Sequence, residues 1–392
     1  MRGNVIVGQS GGPTSVINSS LVGVYKTAKD RGAGKVYGML HGIKGLLDGK
    51  YVDLSEHIKS DLDIDLLKRT PSSFLGSCRY KLPEIRDNTE IYDKIFDILE
   101  ELEIEAFFYI GGNDSMDTIK KLSDYAILRS SDIKFMGVPK TIDNDLAMTD
   151  HTPGYGSAAK YIAAAMKEII RDGLVYDYPT ITIVEIMGRN AGWLTAASAL
   201  AAGEDCEGVD MIFLPEVPFD IDKFMARVTD LAKKQSSIVI AVSEGIKVAD
   251  GRYVFELKDH VEYVDAFGHK QLQGTAKFLA DKIGSELGIK TRAIELSTLQ
   301  RCAAHMTSRV DITEAFQVIV LDRISEDPYI CTTSCQDVHK IANIEKKVPL
   351  EWITQDGTYV ADELIHYIRP LIQAELSPMM VDGLPRHLRM MR

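Results

Sequence analysis

Several features are scarce or missing in this sequence of 392 residues. It has only five cysteines, and an odd, scattered set argues against a disulfide framework and fits a reducing cytosol. No apolar run approaches the roughly 20 residues that a membrane-spanning helix needs. No signal peptide precedes the first predicted strand, so we expect a cytoplasmic protein. Cys331 and Cys335 form the only close pair, and no CxxC partner or nearby histidine pair supports zinc there.

Positive charge is also in short supply. The chain carries 57 Asp and Glu residues against 45 Lys and Arg, which gives a formal net charge of -12. A chain of this sign is a poor partner for nucleic acid or an anionic membrane, so we expect neither. Any phosphorylated substrate must therefore be captured by a local basic pocket, against the field of the whole molecule.

What the sequence has instead is an alternation of short apolar runs with longer amphipathic segments, in a chain long enough for two or three domains. The runs predict strands at Val5–Val7, Lys35–Met39, Ala106–Ile110, Ile133–Val138, Thr180–Ile186, Met211–Leu214, Ser237–Val242 and Ala293–Leu296. The amphipathic segments predict helices at Val16–Asp30, Glu90–Glu103, Met116–Leu128, Ala158–Asp172, Ile221–Lys234 and Ile312–Arg323. This pattern predicts parallel sheets covered on both faces, with ligands at the carboxyl ends of the strands.

Glycine-rich turns follow two of these strands. The turn Gly8–Gly12 is neither a GxGxxG nor a Walker A pattern, and two interpretations stay open: a phosphate site at a helix N-terminus, or a tight turn alone. The second turn, "IGGNDS", again lets a phosphate approach the backbone closely. An acid at Asp114, just behind the glycine pair, is unexpected there.

The segment "PKTIDNDL" places two acids, Asp143 and Asp145, behind Lys140. Two carboxylates this close are costly unless a cation is near or one of them is protonated. Mg²⁺ together with the lysine would satisfy them, and one carboxylate could then accept a proton from an alcohol. The alternative is a polar turn that caps the next helix. Its position after a predicted strand favours the catalytic interpretation.

Other charged residues stand at the remaining strand ends. Arg79, in "FLGSCRYK", has a guanidinium that suits two oxygens of a transferring phosphoryl group. Arg189, Glu244, Arg292 and Arg301 end or flank further strands. Each of these alone is more often a surface or capping residue. Their convergence, one set for each strand end, indicates a site.

These motifs, in their order and spacing, resemble the phosphofructokinase family from about residue 4 to residue 310. "PKTIDND" together with "MGR" is the most specific part, while "VDITEAFQV" and "KKVPLEWI" resemble the pyrophosphate-dependent members less sharply. The resemblance implies an α/β fold of two Rossmann-like, three-layer domains with largely parallel sheets and the active site in the cleft between them. Residues 1–153 and about 303–350 would bind the phosphoryl donor, and 154–302 and about 351–392 the sugar phosphate.

The family phosphorylates the 1-hydroxyl of fructose 6-phosphate with Mg²⁺, and the roles of its residues carry over by motif. Asp143 is implied as the base, with Lys140, Asp145 and Arg189 also catalytic. The implied metal ligands are Asn113 and Asp145. The implied contacts to the sugar phosphate are Thr141, Met187, Gly188, Arg189, Glu244, Arg292 and Arg301. The implied contacts to the donor are Gly11, Gly12, Arg79, Gly112, Asp114, Ser115 and Lys140. Arg292 matches an arginine that reaches a neighbouring subunit, which implies a homodimer or homotetramer.

Asp114 favours pyrophosphate as the donor. ATP-using relatives have glycine at this position, where the α-phosphate of the nucleotide passes, and a carboxylate would fill the space and repel that phosphate. Lys140 replaces another glycine and would bind pyrophosphate. Three departures affect the details. Asn113 stands where the family usually has an acidic metal ligand, and Thr180 and Thr298 stand where many members have an arginine and a histidine.

Three other functions stay open at this point. They are an ATP-dependent phosphofructokinase, a non-catalytic subunit that binds sugar phosphates, and a more distant lipid or dinucleotide kinase. The presence of Asp143, Asp145 and Arg189 argues against a non-catalytic subunit. The acceptor is open as well, because sedoheptulose 7-phosphate is related to fructose 6-phosphate. With pyrophosphate as donor, we expect a reversible reaction in glycolysis and gluconeogenesis.

Overall fold

The computed structural model describes residues 3–257, 274–317 and 320–390. The helices in these ranges are α1 (Ile17–Asp30), α2 (Gly42–Leu47), α3 (Asp61–Arg69), α4 (Thr89–Glu101), α5 (Asn113–Leu128), α6 (Tyr155–Gly173), α7 (Trp193–Ala196), α8 (Ile221–Ala232), α9 (Thr275–Leu287), α10 (Leu299–Cys302), α11 (Arg309–Gln317) and α12 (Asp362–Ile368). The strands are β1 (Asn4–Gln9), β2 (Val36–Met39), β3 (Tyr51–Asp53), β4 (Ile104–Gly111), β5 (Lys134–Pro139), β6 (Thr180–Ile186), β7 (Met211–Phe213), β8 (Ser237–Ser243), β9 (Lys290–Glu295), β10 (Val320–Glu326), β11 (Tyr329–Ser334), β12 (Met380–Val381) and β13 (Leu384–Pro385). Over the described ranges, no helix combines the length and apolarity needed to cross a membrane.

The chain forms two compact units, each assembled from separated stretches of sequence. Unit 1 contains residues 1–157, 301–345 and 373–392, and unit 2 contains residues 158–300 and 346–372. The last stretch, 373–392, belongs to unit 1, whereas the sequence grouped it with the sugar-phosphate domain. Which unit binds the donor and which binds the acceptor stays a proposal.

Unit 1 is built on a five-stranded sheet in the order β3-β2-β1-β4-β5, parallel except for β3. Both faces of this sheet are buried. Val5 and Val7 of β1 pack with Leu21 of α1, whereas Ile6 between them packs with Phe96 of α4. Successive side chains of a strand point to opposite faces, so a strand covered on both faces is an unbroken apolar run.

Unit 2 contains a four-stranded, all-parallel sheet in the order β7-β8-β6-β9. Ile183 of β6 and Ile240 of β8 lie in one buried cluster with Phe224 of α8 and Leu279 of α9. All eight predicted strands and the first five predicted helices are confirmed, with their bounds shifted by a few residues. Strand β9 lies at the edge of its sheet.

The predicted helix Ile312–Arg323 is confirmed over its first half and wrong over its second. Helix α11 ends at Gln317, and β10, which begins at Val320, pairs antiparallel with β11. The apolar residues of this segment suit either a helix or a strand, and pairing with the Thr-rich β11 decides between them. The "KKVPLEWI" segment forms a single 3₁₀ turn at Leu350–Trp352. All five cysteines are free thiols.

The β10–β11 hairpin is tied to the chain after β5 through a buried histidine. His151 is bonded at Nδ1 to Asp150 and at Nε2 to Glu314, both at 2.7 Å. Arg323 of β10 pairs with Asp150 at 3.1 Å, and Tyr329 of β11 donates to Glu314 at 2.7 Å. The hairpin is therefore held by hydrogen bonds and an ion pair from Arg323 and Tyr329 to the two carboxylates that bind the His151 ring.

Candidate active site

Three neighbouring strands of unit 1, β1, β4 and β5, end in loops that are joined by backbone hydrogen bonds. The N–H of Ser10 donates to the carbonyl of Ile110 at 2.9 Å, and the N–H of Lys140 donates to that of Gly111 at 3.0 Å. A Cβ on Gly111 would lie 1.9 Å from Ser115 Oγ and 2.5 Å from Ser115 Cβ, so any larger residue would displace Ser115. The two glycine-rich turns and the "PKTIDND" segment are thus brought together.

Lys140 lies buried beneath the turn that follows β1, with only 2% of its surface exposed. Its ammonium group donates to the carbonyls of Ser10, at 3.1 Å, and Gly12, at 2.5 Å. A Cβ added to Gly11, where φ is +74°, would lie 3.7 Å from the same nitrogen. The 10–12 turn therefore carries a positive charge directly beneath its backbone.

Several charges act on the pKa of Lys140. Burial lowers this pKa from 10.5 to about 8. The carboxylates of Asp143 and Asp145 raise it again, while Arg301 and Arg79 lower it. A lysine with such a pKa still carries most of its charge at neutral pH, in a place where water cannot screen that charge.

Two arginines lie close to the same turn. Ser77 Oγ donates to the carbonyl of Gly11 at 2.7 Å, and this bond holds the loop with Arg79 against the turn. A Cβ on Gly12 would lie 3.2 Å from Arg301 Nη1. The structure therefore brings Arg79 together with the predicted donor residues. It places Arg301, which the resemblance assigned to the sugar phosphate, beside them.

Asp143 and Asp145 flank a residue in the left-handed region, Asn144, where φ is +55°. The buried side chain of Asn144 accepts the N–H of Thr152 at 3.0 Å, so the two acids lie on either side of an inward-pointing residue. The N–H of Asp143 donates to Thr141 Oγ1 at 3.1 Å. Burial, and then the charge of Asp143, raise the pKa of Asp145 to about 7.

The residues around Asp145 fit a divalent cation. Asn113 Oδ1 is buried and has no hydrogen-bond partner in the described residues, and a hydrogen bond from Asn113 lowers the pKa of Asp145. A Mg²⁺ ion would satisfy both the unpaired amide oxygen of Asn113 and the carboxylate of Asp145. Two protein ligands are enough, because Mg²⁺ usually keeps several waters. The candidate ligands are therefore only this amide and this carboxylate, because the described ranges contain no group of three or more His, Cys, Asp or Glu residues that could hold a metal ion.

Glu345 is a site residue that sequence reasoning missed. Its backbone forms an antiparallel bridge with Leu146, and its charge raises the pKa of Asp145. Nothing local marks this position, because Glu345 and Asp145 become neighbours only through the tertiary fold.

Asp114 lies exposed in the first turn of α5, next to Gly112. A carboxylate at this position also interacts favourably with the helix dipole. Ser115, the following residue, is buried, with its N–H donating to the carbonyl of Gly112 at 3.0 Å. Asp114 thus stands at the start of the helix and is exposed, and its predicted contact with the donor stays a prediction.

In unit 2, the "MGR" and "SEG" motifs are bonded to each other. The N–H of Gly188, where φ is +139°, donates to Glu244 Oε1 at 3.3 Å, and Ser243 Oγ donates to the carbonyl of Gly188 at 2.5 Å. A Cβ on Gly245 would lie 1.9 Å from the carbonyl oxygen of Arg189. The N–H of Met187 donates to Gln300 at 3.3 Å. Four of the predicted sugar-phosphate contacts are therefore one cluster.

Arg292 lies apart from that cluster, on the edge strand β9. Its Nη1 is 3.0 Å from Asp172 Oδ2 and its Nη2 is 3.5 Å from the hydroxyl of Tyr176. Thr180, at the start of β6, is buried, and Thr298 is exposed.

Comparisons with known proteins agree with these motifs. A family model described as Phosphofructokinase matches residues 4–318. The pyrophosphate–fructose 6-phosphate 1-phosphotransferase of Halomonas elongata is 38% identical to this chain, and the alignment covers 98% of this chain and 95% of that protein. The protein of the same name from Methylococcus capsulatus is 38% identical, with 97% and 94% covered.

Solved structures agree as well. The crystal structure of the pyrophosphate-dependent phosphofructokinase from Nitrosospira multiformis is similar, with a TM-score of 0.88 at 34% identity, and covers 99% of this chain and 96% of that chain. The chain therefore belongs to the phosphofructokinase family.

Proposed function

We propose that this chain transfers a phosphoryl group from pyrophosphate to the 1-hydroxyl of fructose 6-phosphate, which gives fructose 1,6-bisphosphate and phosphate. The observation that carries the proposal is the ammonium group of Lys140 beneath the 10–12 turn. Relatives that carry the name of this reaction support the choice of donor and acceptor.

In the proposed mechanism the protein positions the reactants and neutralises charge. Asp143 accepts the proton of the 1-hydroxyl as that oxygen forms its bond to phosphorus, and the bond from this phosphorus to the bridging oxygen of pyrophosphate breaks. The leaving phosphate keeps the electron pair of the broken bond. Lys140 and Arg79 balance the charge on the donor oxygens in a place of low dielectric.

Asp145 and Asn113 would hold the Mg²⁺ ion, with Glu345 as a further nearby charge. When bound, Mg²⁺ supplies positive charge that offsets the charge of the donor phosphates. The cluster of Met187, Gly188, Arg189 and Glu244 in unit 2 would hold the sugar phosphate, together with Thr141, Arg301 and Arg292.

The test of this function is a donor screen on the purified protein with Mg²⁺ and fructose 6-phosphate. We expect turnover with pyrophosphate and little or none with ATP. Asp114→Gly should admit ATP in part, and Asp114→Asn, which removes the charge but keeps the volume, separates the two effects. Lys140→Gly should weaken the use of pyrophosphate. A parent enzyme that prefers ATP at equal concentration contradicts the donor assignment and leaves family membership intact.

We also propose that the protein is a homodimer or homotetramer in the cytoplasm, with Arg292 serving a neighbouring copy. Strand β9 leaves one edge unpaired within its sheet, and exposed apolar residues lie beside it. Leu174 is 60% exposed, Val175 72% and Tyr178 41%, and Tyr178 contacts Lys290 of β9 at 3.3 Å. Unpaired edges and apolar patches mark association surfaces.

A further inference from the structure

The "KKVPLEWI" segment, residues 346–353, opens the second stretch of unit 2 and contains no residue assigned above to the donor, the acceptor or the metal. It packs against the residues that directly follow the "MGR" motif. The indole N–H of Trp193 donates to the carbonyl of Lys346 at 3.0 Å, and the rings of Trp193 and Trp352 meet edge to face with their centres 6.2 Å apart. The segment therefore contacts the chain just beyond the predicted sugar-phosphate contacts.

A carboxylate from a third part of unit 2 joins these two stretches. Glu216 follows strand β7, and its Oε1 atom accepts the N–H of Gly192 at 2.9 Å and the N–H of Val348 at 3.0 Å. A Cβ added to Gly192 would lie 2.8 Å from Glu216 Oε2 and 2.9 Å from Leu214 Cβ, so the two backbones approach closely there. One oxygen atom of Glu216 thus binds both the loop after β6 and the "KKVPLEWI" segment.

The loop that Glu216 contacts is residues 187–192, which contain "MGR" and are called the acceptor loop below. The loop is tightly folded, because a Cβ on Gly188 would lie 2.6 Å from the carbonyl oxygen of Ala191. The "SEG" motif supports it at Arg189, where a Cβ on Gly245 would lie 1.9 Å from the carbonyl oxygen. Glu216 holds its far end at Gly192. Close-packed backbone transmits displacement, so a shift of Gly192 should also move Arg189.

The two bonds depend on an acceptor oxygen of Glu216 and not on its charge. Burial raises the pKa of Glu216, whereas the N–H groups of Gly192 and Val348 and the charge of Lys347 lower it. Glu216 Oε2 is buried and has no hydrogen-bond partner in the described residues. A side-chain amide offers the same kind of acceptor oxygen without the charge. Glutamine at this position therefore separates the bonds from the charge.

We propose that Glu216 is a positioning residue for the acceptor, which holds the acceptor loop and the "KKVPLEWI" segment together so that Arg189 meets the sugar phosphate. Glu216 acts through the N–H of Gly192. The inference rests on the proposed function, which assigns the acceptor loop to the sugar phosphate. Because the predicted donor contacts lie in unit 1 and Glu216 lies in unit 2, its loss should weaken the acceptor alone.

Steady-state kinetics of the full chain, with each substrate varied in turn, tests the inference. Glu216→Ala should raise KM for fructose 6-phosphate by about tenfold, because the contact of Arg189 is weakened, and leave KM for pyrophosphate within about twofold. Glu216→Asp keeps the charge but is one methylene shorter, so it should show the same difference between substrates even if the alanine variant fails to fold. Glu216→Gln should keep both KM values of the parent.

The matched control is Asp210→Ala, at the opposite end of the same strand. Asp210 Oδ2 accepts the N–H of Val239 at 2.7 Å, and Asp210 directly precedes β7. This variant loses a comparable bond from a carboxylate to a backbone N–H. We expect it to keep the parent's KM for fructose 6-phosphate, and an increase equal to that of Glu216→Ala would show a general loss of structure and overturn the inference.

Tryptophan emission of the same variants, measured without substrate, tests whether Glu216 holds the segment. The chain has two tryptophans, Trp193 and Trp352, and Trp193 is 3% exposed. Emission should shift to longer wavelength in Glu216→Ala and Glu216→Asp but not in Glu216→Gln. Unchanged emission in the first two variants, an unchanged KM for fructose 6-phosphate, or an equal rise in both KM values overturns the inference. A parent without turnover on fructose 6-phosphate contradicts the proposed function itself and removes the inference with it.

Discussion

Burying the ammonium group of Lys140 beneath the 10–12 turn costs the folded protein stability. The pKa of this group is about 8 in the folded chain and 10.5 without the fold, so the folded state holds fewer protons between those values. The free energy of unfolding should therefore rise as the pH increases from about 8 to 10.5. Below pH 8 the full penalty is present.

We expect Lys140→Met to remove this pH dependence. The difference in free energy of unfolding, variant minus parent, should fall by on the order of 1–3 kcal/mol between pH 7 and pH 10.5, because only the parent gains stability over that range. Urea denaturation at a series of pH values measures the difference, and turnover with pyrophosphate should be lost in the same variant. Parallel pH profiles of the two proteins would contradict this account of Lys140.

At the scale of residues, the sequence predicts most of the candidate site. Lys140 and Asp143 stand in a motif that identifies them without a structure. The orphaned oxygen of Asn113 and the charge of Glu345 could not be predicted, because both depend on which side chains the fold brings next to Asp145.

At the scale of elements, Lys121 connects helix α5 to the loop that carries Arg79. Lys121 Nζ pairs with Asp117 at 2.8 Å and with Glu84 at 2.9 Å, and donates to the carbonyl of Leu82 at 3.0 Å. The side chain is buried, with 7% of its surface exposed. A lysine with three such partners holds the loop in one position relative to the helix.

We expect Lys121→Met to raise KM for pyrophosphate by about tenfold, because a displaced Arg79 loses a charge-assisted contact. KM for fructose 6-phosphate should change little. Steady-state kinetics with each substrate varied in turn measures both, and Lys120→Met, on the half-buried neighbour, is the matched control. An equal rise in the two KM values would show that Lys121 supports the fold in general and does not position the loop.

The hairpin of β10 and β11 should make stability depend on pH through His151. Burial alone lowers the pKa of His151, but the bonds and charges of Asp150 and Glu314 outweigh burial and raise it above 6.5. The stabilisation is therefore complete below about pH 6.5, the value in the unfolded chain, and is lost as the pH rises through the raised pKa.

Thermal melting between pH 5.5 and about 8, below the range in which Lys140 changes stability, tests this expectation. The parent should lose stability toward the alkaline end of that range, and His151→Asn should have a lower Tm at acidic pH and a flatter profile. The control is His366→Asn, which removes an exposed histidine of α12. If the Tm of the parent falls with rising pH no more steeply than the Tm of His151→Asn, His151 does not cause the pH dependence.

The same hairpin shows where prediction from the sequence ends. Strands covered on both faces were predicted correctly because their composition identifies them, as in Thr180–Ile186. The amphipathic pattern predicts one helix over residues 312–323, whereas α11 ends at Gln317. Whether Val320 continues that helix or begins a strand depends on β11, a partner that a local pattern does not specify.

At the scale of the whole molecule, the edge of β9 and the apolar patch beside it predict the oligomeric state. We expect the parent to sediment as a dimer or tetramer. Val175→Asp, which places a charge in the patch, should favour the monomer and raise KM for fructose 6-phosphate. Ile127→Asp is the matched control, because Ile127 of α5 is 74% exposed and lies in unit 1.

Sedimentation velocity at the assay concentration, with turnover measured on the same samples, gives the answer. A monomeric parent with full activity would exclude any contribution of Arg292 to a neighbouring copy. A Val175→Asp variant that stays oligomeric would place the interface elsewhere on the chain.

The order of segments along the chain also affects its synthesis. Polypeptide passes between the two units four times, and α11 of the 301–345 stretch packs against α1, with Ser19 Oγ bonded to the carbonyl of Ile312 at 2.7 Å. A ribosome that adds about 5–20 residues per second needs roughly 15–60 s to reach α11 after finishing α1. During that interval the nascent chain exposes the apolar surface of α1 that α11 later covers, and this surface is available to chaperones or to neighbouring nascent chains.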